Sequence, residues 1–220
     1  MSKVILIPAI LAGDKKQLID KIEAVEDLVE YIQIDYMDGK FVPHKSNFTA
    51  RDYHQLNPVC ASELHMMINH PENHIHEWIS AGIEKFIVHI EALVDWEKLF
   101  KIHQNNYLKL YLAINPETPL SKINNKVSHV DGITVMGVNP GKSHQKFQPS
   151  VLGKIKTLRN RYPQINIQVD GGLHTQPKNT IQQVILAGAN EIVVGSDIFL
   201  SLDIEQKIDE LEAFINKYNK

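Results

Sequence analysis

Short apolar, β-branched runs alternate along the chain with longer stretches in which apolar residues return every three or four positions. The first kind reads as buried strands and the second as helices that cover them. The strand candidates are "VILIPAI" (4–10), "YIQID" (31–35), "ELHMM" (63–67), "KFIVHI" (85–90), "LKLYLAI" (108–114), "GITVMGV" (132–138), "INIQVDG" (165–171) and "EIVVGS" (191–196). The helical period is clearest in "KKQLIDKIEAVEDLVE" (15–30) and "PSVLGKIKTLRNRY" (149–162). "ISAG" and "ILAG" place Gly82 and Gly188 where a left-handed helix C-cap belongs. Near-continuous apolar strands, each followed by a helix, predict a parallel sheet covered by helices.

Eight such units in 220 residues fit an α/β fold, a single (β/α)8 TIM barrel spanning 1–220. A doubly wound open sheet is the competing architecture. It usually needs fewer strands, and the first turn, "PAILAGD", lacks the G-x-G-x-x-G fingerprint of dinucleotide binding. No low-complexity stretch, long charge run or Pro/Gly/Ser linker marks an internal boundary.

Composition narrows the class without choosing a function. Hydrophobic residues make up 43% and charged residues 22%, ordinary for a soluble globular protein. A net charge of −3 gives no reason to expect nucleic acid or an anionic membrane as partner. The single cysteine, Cys60, rules out an internal disulfide and fits a reducing compartment. Between Val59 and Ala61 it reads as a small buried hydrophobe rather than a nucleophile. "VILIPAIL" is too short to span a bilayer, and with only Lys3 as a preceding charge it is a poor signal peptide. A cytoplasmic location is expected.

In a barrel, active sites form at the C-terminal ends of the strands. The residues there are Asp35 and Asp38, His65 and Met67, His89 and Glu91, Asn115, Met136 and Asn139, Asp170, and Gly195 with Ser196. A core alone does not require carboxylates at the ends of apolar strands. Facing carboxylates can serve as base and acid on opposite sides of a substrate carbon, or hold a hard cation. His65, flanked by two of them, is a candidate ligand. Most of the remaining histidines, as in "HPENHIHEW", show no metal-ligand spacing and read as solvated surface. Three glycine turns, "NPGKSHQKF", "VDGG" and "VGS", follow strands six, seven and eight, where this fold often cradles phosphate on backbone N–H groups.

The segments "DYMDGKFVPH", "LHMM", "INPETP", "VMGVNPG", "QKF", "VDGG" and "VGSDIF" occur in the order and spacing of the ribulose-phosphate 3-epimerase family. The chain resembles that family from about Ile7 to Phe199. The resemblance implies a metal-dependent sugar-phosphate 3-epimerase of pentose phosphate metabolism, interconverting D-ribulose 5-phosphate and D-xylulose 5-phosphate. It implies Asp35 as proton acceptor, Asp170 as proton donor, and both as ligands of one divalent cation (Zn, Fe, Mn, Co or Mg), with His65 a further ligand beside the substrate. Gly141, Gly171, Gly172, Gly195 and Ser196 match phosphate and substrate contacts, and Met37, Met67 and Met136 match methionines lining the site. A small-molecule sugar phosphate is the implied partner, and relatives are often dimers or larger.

Three departures fall in the site. Ala9 stands where the family has a substrate-contacting serine. Gln33 stands at a histidine ligand position, and an amide oxygen binds borderline metals less well than imidazole. The phosphate loop reads "GKSH", so Lys142, Ser143 and His144 replace a glycine-rich run, with Lys142 adding a charge that can reach phosphate. Such changes point to a shifted ketose phosphate, a different metal or weak activity. A binding protein without catalysis is the alternative, but it has no need of both Asp35 and Asp170. A lyase resembling the orotidine-phosphate decarboxylase group needs a lysine two residues after Asp35, where this chain has Met37.

Overall fold

All eight predicted runs form strands. They pair in chain order, all parallel, until the eighth meets the first and the sheet closes into a barrel. The computed structural model describes residues 3–219 apart from Ser143 and Pro177. The strands are β1 (Ile5–Leu11), β2 (Tyr31–Met37), β3 (Ala61–Met67), β4 (Lys85–His89), β5 (Lys109–Ile114), β6 (Gly132–Met136), β7 (Asn166–Asp170) and β8 (Glu191–Val194). The helices outside them are α1 (Lys15–Glu23), α2 (Ala50–Leu56), α3 (Ile75–Ser80), α4 (Trp96–Asn106), α5 (Val151–Arg161), α6 (Thr180–Ala187), α7 (Ser196–Phe199) and α8 (Ile204–Ile215).

The period of two along each strand makes two different surfaces. Ile10, Ile34, Leu64, Phe86, Leu112, Val135, Val169 and Ile192 belong to one apolar layer with Leu18, Trp78, Leu99, Ile155, Ile181 and Leu211 of the helices. Fully burying one such side chain contributes about 1.5–3 kcal/mol, so this layer holds the helices on the sheet. The alternate residues point into the barrel. Part of that interior is apolar, with Ile7, Ala9 and Val193 in one cluster and Ile87, Ala113 and the Tyr111 ring in another. The rest is polar.

Toward the N-terminal ends of the strands, Lys85 Nζ lies 2.6 Å from Glu63 and 2.5 Å from Glu191. Tyr111 donates to Glu191 at 2.7 Å, and Gln168 Nε2 donates to Glu63 at 2.5 Å. Thr134 in turn donates to the Gln168 carbonyl oxygen at 2.7 Å. Pairing and hydrogen bonding of this kind are what buried charges require. Gly132 follows from the same packing, because a Cβ there would overlap the Tyr111 ring.

Local signals account for the element ends. Asp14 accepts from the Gln17 N–H to cap α1, and Thr49 and Asp52 form a reciprocal capping box on α2. Gly188 ends α6 at φ 115°, as its sequence position predicts. Most boundaries shift by a residue or two from expectation, and two differences bear on the fold and the site. The first helical period runs to residue 30, but α1 ends at Glu23 and the chain continues in tight turns in which Val25 remains buried. The second strand continues two residues past Asp35, because Tyr36 and Met37 pair with Met66 and Met67 of β3. Asp35 therefore sits inside the barrel mouth, in register with His65, rather than on a loop. Among the described residues, no helix is long and apolar enough to cross a membrane.

Candidate active site

The inward-facing positions at the C-terminal ends of β2, β3 and β7 bring Asp35, His65 and Asp170 together. One potential ligand atom from each lies within 4.8 Å of the others. His65 Nδ1 is 3.0 Å from Asp35 Oδ1 and 3.4 Å from Asp170 Oδ2. Gln33, one inward position below Asp35, is fully buried under this group. Its Nε2 donates to Asp35 Oδ1 and to Asp170 Oδ2, each at 2.9 Å, while its Oε1 has no hydrogen-bond partner among the described residues. The amide NH2 thus stands between two carboxylates, where a positive charge is favoured.

Burial pushes the Asp35 carboxyl above its usual range, and the charge of Asp170 adds to this, against the hydrogen bonds of His65 and Gln33. For His65, burial alone would disfavour the imidazolium. The hydrogen bonds and charges of Asp170 and Asp35 outweigh it and raise the group to about 10. A carboxylate moved upward is a better general base than an ordinary one.

A further shell of hydrogen bonds orients the imidazole. His65 Nε2 lies 2.8 Å from His89 Nε2, and His89 Nδ1 lies 3.3 Å from Glu91 Oε2. If Glu91 accepts the Nδ1 proton, His89 presents a lone pair at Nε2, which takes the Nε2 proton of His65. That leaves His65 Nδ1 as the atom turned to the carboxylates. Burial, foremost, holds His89 below the usual histidine value, in keeping with a neutral ring. Glu91 is itself fixed by the Asn115 N–H at 2.8 Å and by the Thr118 hydroxyl. His89 is completely buried and belongs to this shell, which corrects the general reading of the other histidines as solvated surface. The signal was present in the alternation: residues 85, 87 and 89 share the inward phase.

A cleft of about 350 Å³ opens above these groups. Its walls include Ala9, Lys21, Asp35, His65, Met67, Met136, Gly141, Lys142, His144, Asp170, Gly171, Gly172, Gly195 and Ser196. The structure therefore brings nearly all the sequence candidates to one mouth. Met37 is not among the cleft walls and packs with Val42 and Met67. Ser143 lies outside the described residues. Asp38 has a different place: it accepts from the N–H groups of Lys40, Phe41 and Asn69, shaping the loop after β2. Burial works against its charge, but these backbone donors outweigh it and hold the carboxyl below the usual range.

The glycines of the mouth have packing reasons of their own. Gly141 adopts φ 90°, and a Cβ there would lie 2.7 Å from Val42. Gly172, at φ 70°, would press on the Phe147 backbone at 2.7 Å. Both conditions favour glycine. The same close turns leave the N–H groups of Gly172 and Ser196 without a loop or side-chain acceptor among the described residues.

Fold and site define a closed (β/α)8 barrel with a polar cleft at the C-terminal ends of its strands, where enzymes of this fold carry their active sites. The profile of the Ribulose-phosphate 3 epimerase family matches residues 5–199, and the chain belongs to that family, an epimerase acting on carbohydrates. Ribulose-phosphate 3-epimerase of Candida glabrata is 33% identical, with 99% of this chain and 94% of that protein covered. The Bacillus subtilis ribulose-phosphate 3-epimerase is 34% identical, with 94% and 97% covered. Among solved structures, 3-hexulose-6-phosphate synthase from Salmonella typhimurium superposes with a TM-score of 0.71 at 14% identity, covering 97% of this chain and 99% of that one. Orotidine 5'-monophosphate decarboxylase from Sulfolobus solfataricus gives 0.67 at 13%, covering 99% of each. These last two share the fold.

Proposed function

We propose that the chain is a metal-dependent sugar-phosphate 3-epimerase that interconverts D-ribulose 5-phosphate and D-xylulose 5-phosphate, with Asp35 and Asp170 as its two acid/base groups. The observation that carries this reading is the convergence of two buried carboxylates from non-neighbouring strands on one imidazole nitrogen, at 3.0 and 3.4 Å. The hydrogen on C3 lies α to the C2 ketone, so its removal gives an enediolate. Inversion requires reprotonation from the opposite face; a single group would return the proton to the face it left. Asp35, with its carboxyl shifted upward, takes the proton as a carboxylate, and Asp170, entering the step as the carboxylic acid, delivers its own proton from the other side; exchange with solvent then resets both.

The donor set suits a divalent cation that would displace the His65 Nδ1 proton: two carboxylates and an oriented imidazole, with Gln33 Oε1, which has no partner among the described residues, available only if the amide turns over. Asp35, His65 and Asp170 would hold it, and when bound it supplies Lewis-acid stabilisation of the charge on the enediolate oxygens. The backbone around Gly171, Gly172, Gly195 and Ser196 receives the phosphate in this reading, with Met67 and Met136 against the carbon chain. The test is exchange of the C3 hydrogen in deuterium oxide across a panel of ketose phosphates, with several divalent metals. Exchange and epimerisation of ribulose 5-phosphate are expected. Absence of exchange on every ketose phosphate in the metal-loaded protein would remove the acid/base assignment.

A further inference from the structure

The cleft holds a positive charge that the acid/base reading does not use. Lys21 lies in the last turn of α1, and its side chain reaches the cleft wall. Its Nζ donates to the Leu11 carbonyl at the end of β1 at 2.9 Å and stands 5.1 Å from the centre of the Phe199 ring. These contacts anchor it between the end of β1 and α7, the helix that follows β8, in the cleft whose walls also include Gly195 and Ser196. Among the described residues, the Leu11 carbonyl is its one hydrogen-bond acceptor, and it forms no ion pair. An ammonium has three N–H donors, so two remain. Burial disfavours this charge, only partly offset by Asp35, and holds the group below the usual lysine value.

We propose that Lys21 is a phosphate-binding residue, whose ammonium takes a non-bridging oxygen of the substrate phosphate at the wall formed with Gly195, Ser196 and Phe199. This rests on the reading of the site as one for a sugar phosphate. A phosphate entering this cleft brings negative charge into a mouth that already holds Asp35 and Asp170, so it needs a fixed cation. Lys142, the other lysine of the cleft wall, is exposed on its loop, whereas Lys21 is half-buried and held by a carbonyl and a ring. Charge–charge attraction is stronger where water is partly excluded, and an anchored donor loses less freedom on binding. Incoming phosphate supplies the counter-charge that burial has denied this ammonium.

The test uses inorganic phosphate as a competitive ligand, together with a ketose 5-phosphate and the same ketose without phosphate as substrates. Lys21→Met keeps the apolar stem over Phe199 and removes the charge. It is expected to weaken phosphate binding and raise KM for the phosphate ester by about ten- to a hundredfold, the size of one charge-assisted hydrogen bond. kcat/KM for the unphosphorylated ketose should fall far less. Lys21→Arg should retain most of the affinity, and Lys142→Met should lose much less than Lys21→Met. Circular dichroism verifies folding, and Lys21→Gln replaces Lys21→Met if that variant is unstable. Unchanged phosphate affinity, or equal losses on both substrates, overturns the assignment. Phosphate binding that depends on Lys21 in a wild-type chain that epimerises no ketose phosphate would uphold this proposal and defeat the epimerase reading.

Discussion

Replacing Gln33 by histidine asks how strongly this site holds a cation. The Gln33 NH2 donates to Asp35 Oδ1 and Asp170 Oδ2 at 2.9 Å each, and both carboxylates belong to the group that would hold the cation. Loading the site requires those two hydrogen bonds to be given up or the amide to turn over. A hydrogen bond to a charged group contributes about 1.5–3 kcal/mol. Losing two at the lower figure costs about 3 kcal/mol, roughly two orders of magnitude in affinity. Gln33→His removes that competition and offers an imidazole, which zinc prefers to an amide oxygen. Zinc should therefore bind Gln33→His about a hundredfold or more tighter, with a smaller gain for Mn²⁺ or Mg²⁺. Competition against a chromogenic chelator measures the affinities, and C3 hydrogen exchange read in parallel reports whether activity follows. Gln33→Leu separates the two contributions: if the NH2 donors are the main obstacle, its zinc affinity equals or exceeds that of the wild type. Equal zinc affinity for glutamine and histidine would refute the reasoning and place residue 33 outside the cation's surroundings.

Other perturbations test other parts of the structure. Asp35→Asn and Asp170→Asn should each abolish C3 exchange by at least about 10²- to 10⁴-fold with unchanged circular dichroism, and near-wild-type exchange in either would remove that residue from the proton transfer. His89→Ala should lower metal affinity about 10- to 100-fold by releasing the His65 ring, the usual size of such outer-shell effects, and unchanged binding would mean that other contacts orient it. Burial pushes the Cys60 thiol up to about 11, with Glu26 adding to the shift. The folded chain therefore favours the protonated thiol: this stabilisation is present below the unfolded value near 9 and lost as pH rises through about 11. Cys60 should accordingly react slowly with a thiol reagent at pH 8 and rapidly in denaturant, and similar rates in both would contradict its placement. Gly132→Ala should destabilise the fold by at least about 1–3 kcal/mol through overpacking against the Tyr111 ring, as read by thermal or urea denaturation.

The barrel was legible because its signal repeats. Eight runs of buried strand, each followed by a helical period, survive errors at element ends, so the two extra residues of β2 and the end of α1 seven residues early leave the architecture unchanged. The mouth was legible for a related reason: strand C-termini converge in a closed barrel, so Asp35, His65 and Asp170 are gathered by topology although more than a hundred positions separate the first from the last. Less legible was what each polar group faces once gathered. Gln33 reads as a weakened ligand, yet its donors rather than its oxygen meet the carboxylates, because an amide can present either end. His89 is legible as a residue at a strand end, but only the inward phase of β4 sets its ring against His65. Lys21 carries no motif at all. It belongs to a helix whose polar face would ordinarily be solvated, and only the approach of α1 to the end of β1 and to α7 turns its side chain into the cleft.

The buried charges at the two ends of the barrel explain why the mouth can be reactive while the floor is inert. At the floor, Glu63 and Glu191 share one lysine, leaving an excess negative charge. Burial pushes the Glu63 carboxyl upward despite Lys85, so the floor favours taking up a proton, while Tyr111 and Gln168 satisfy the remaining oxygens. Ile87 on β4 and Val193 on β8 then stand between this layer and the mouth, both almost completely buried. Above them the same count of two carboxylates to one cationic partner faces an open cleft. Asp35 and Asp170 face one imidazole and one neutral amide, with Lys21 off to one side and no second buried lysine among the described residues of the cleft. What differs is access: the cleft lets an exchangeable partner, a proton, a cation or a polarised substrate, enter to relieve the imbalance, whereas the floor is sealed. The floor is closed by its own side chains and the mouth is not, and that difference is what the proposed movement of protons on and off carbon would require.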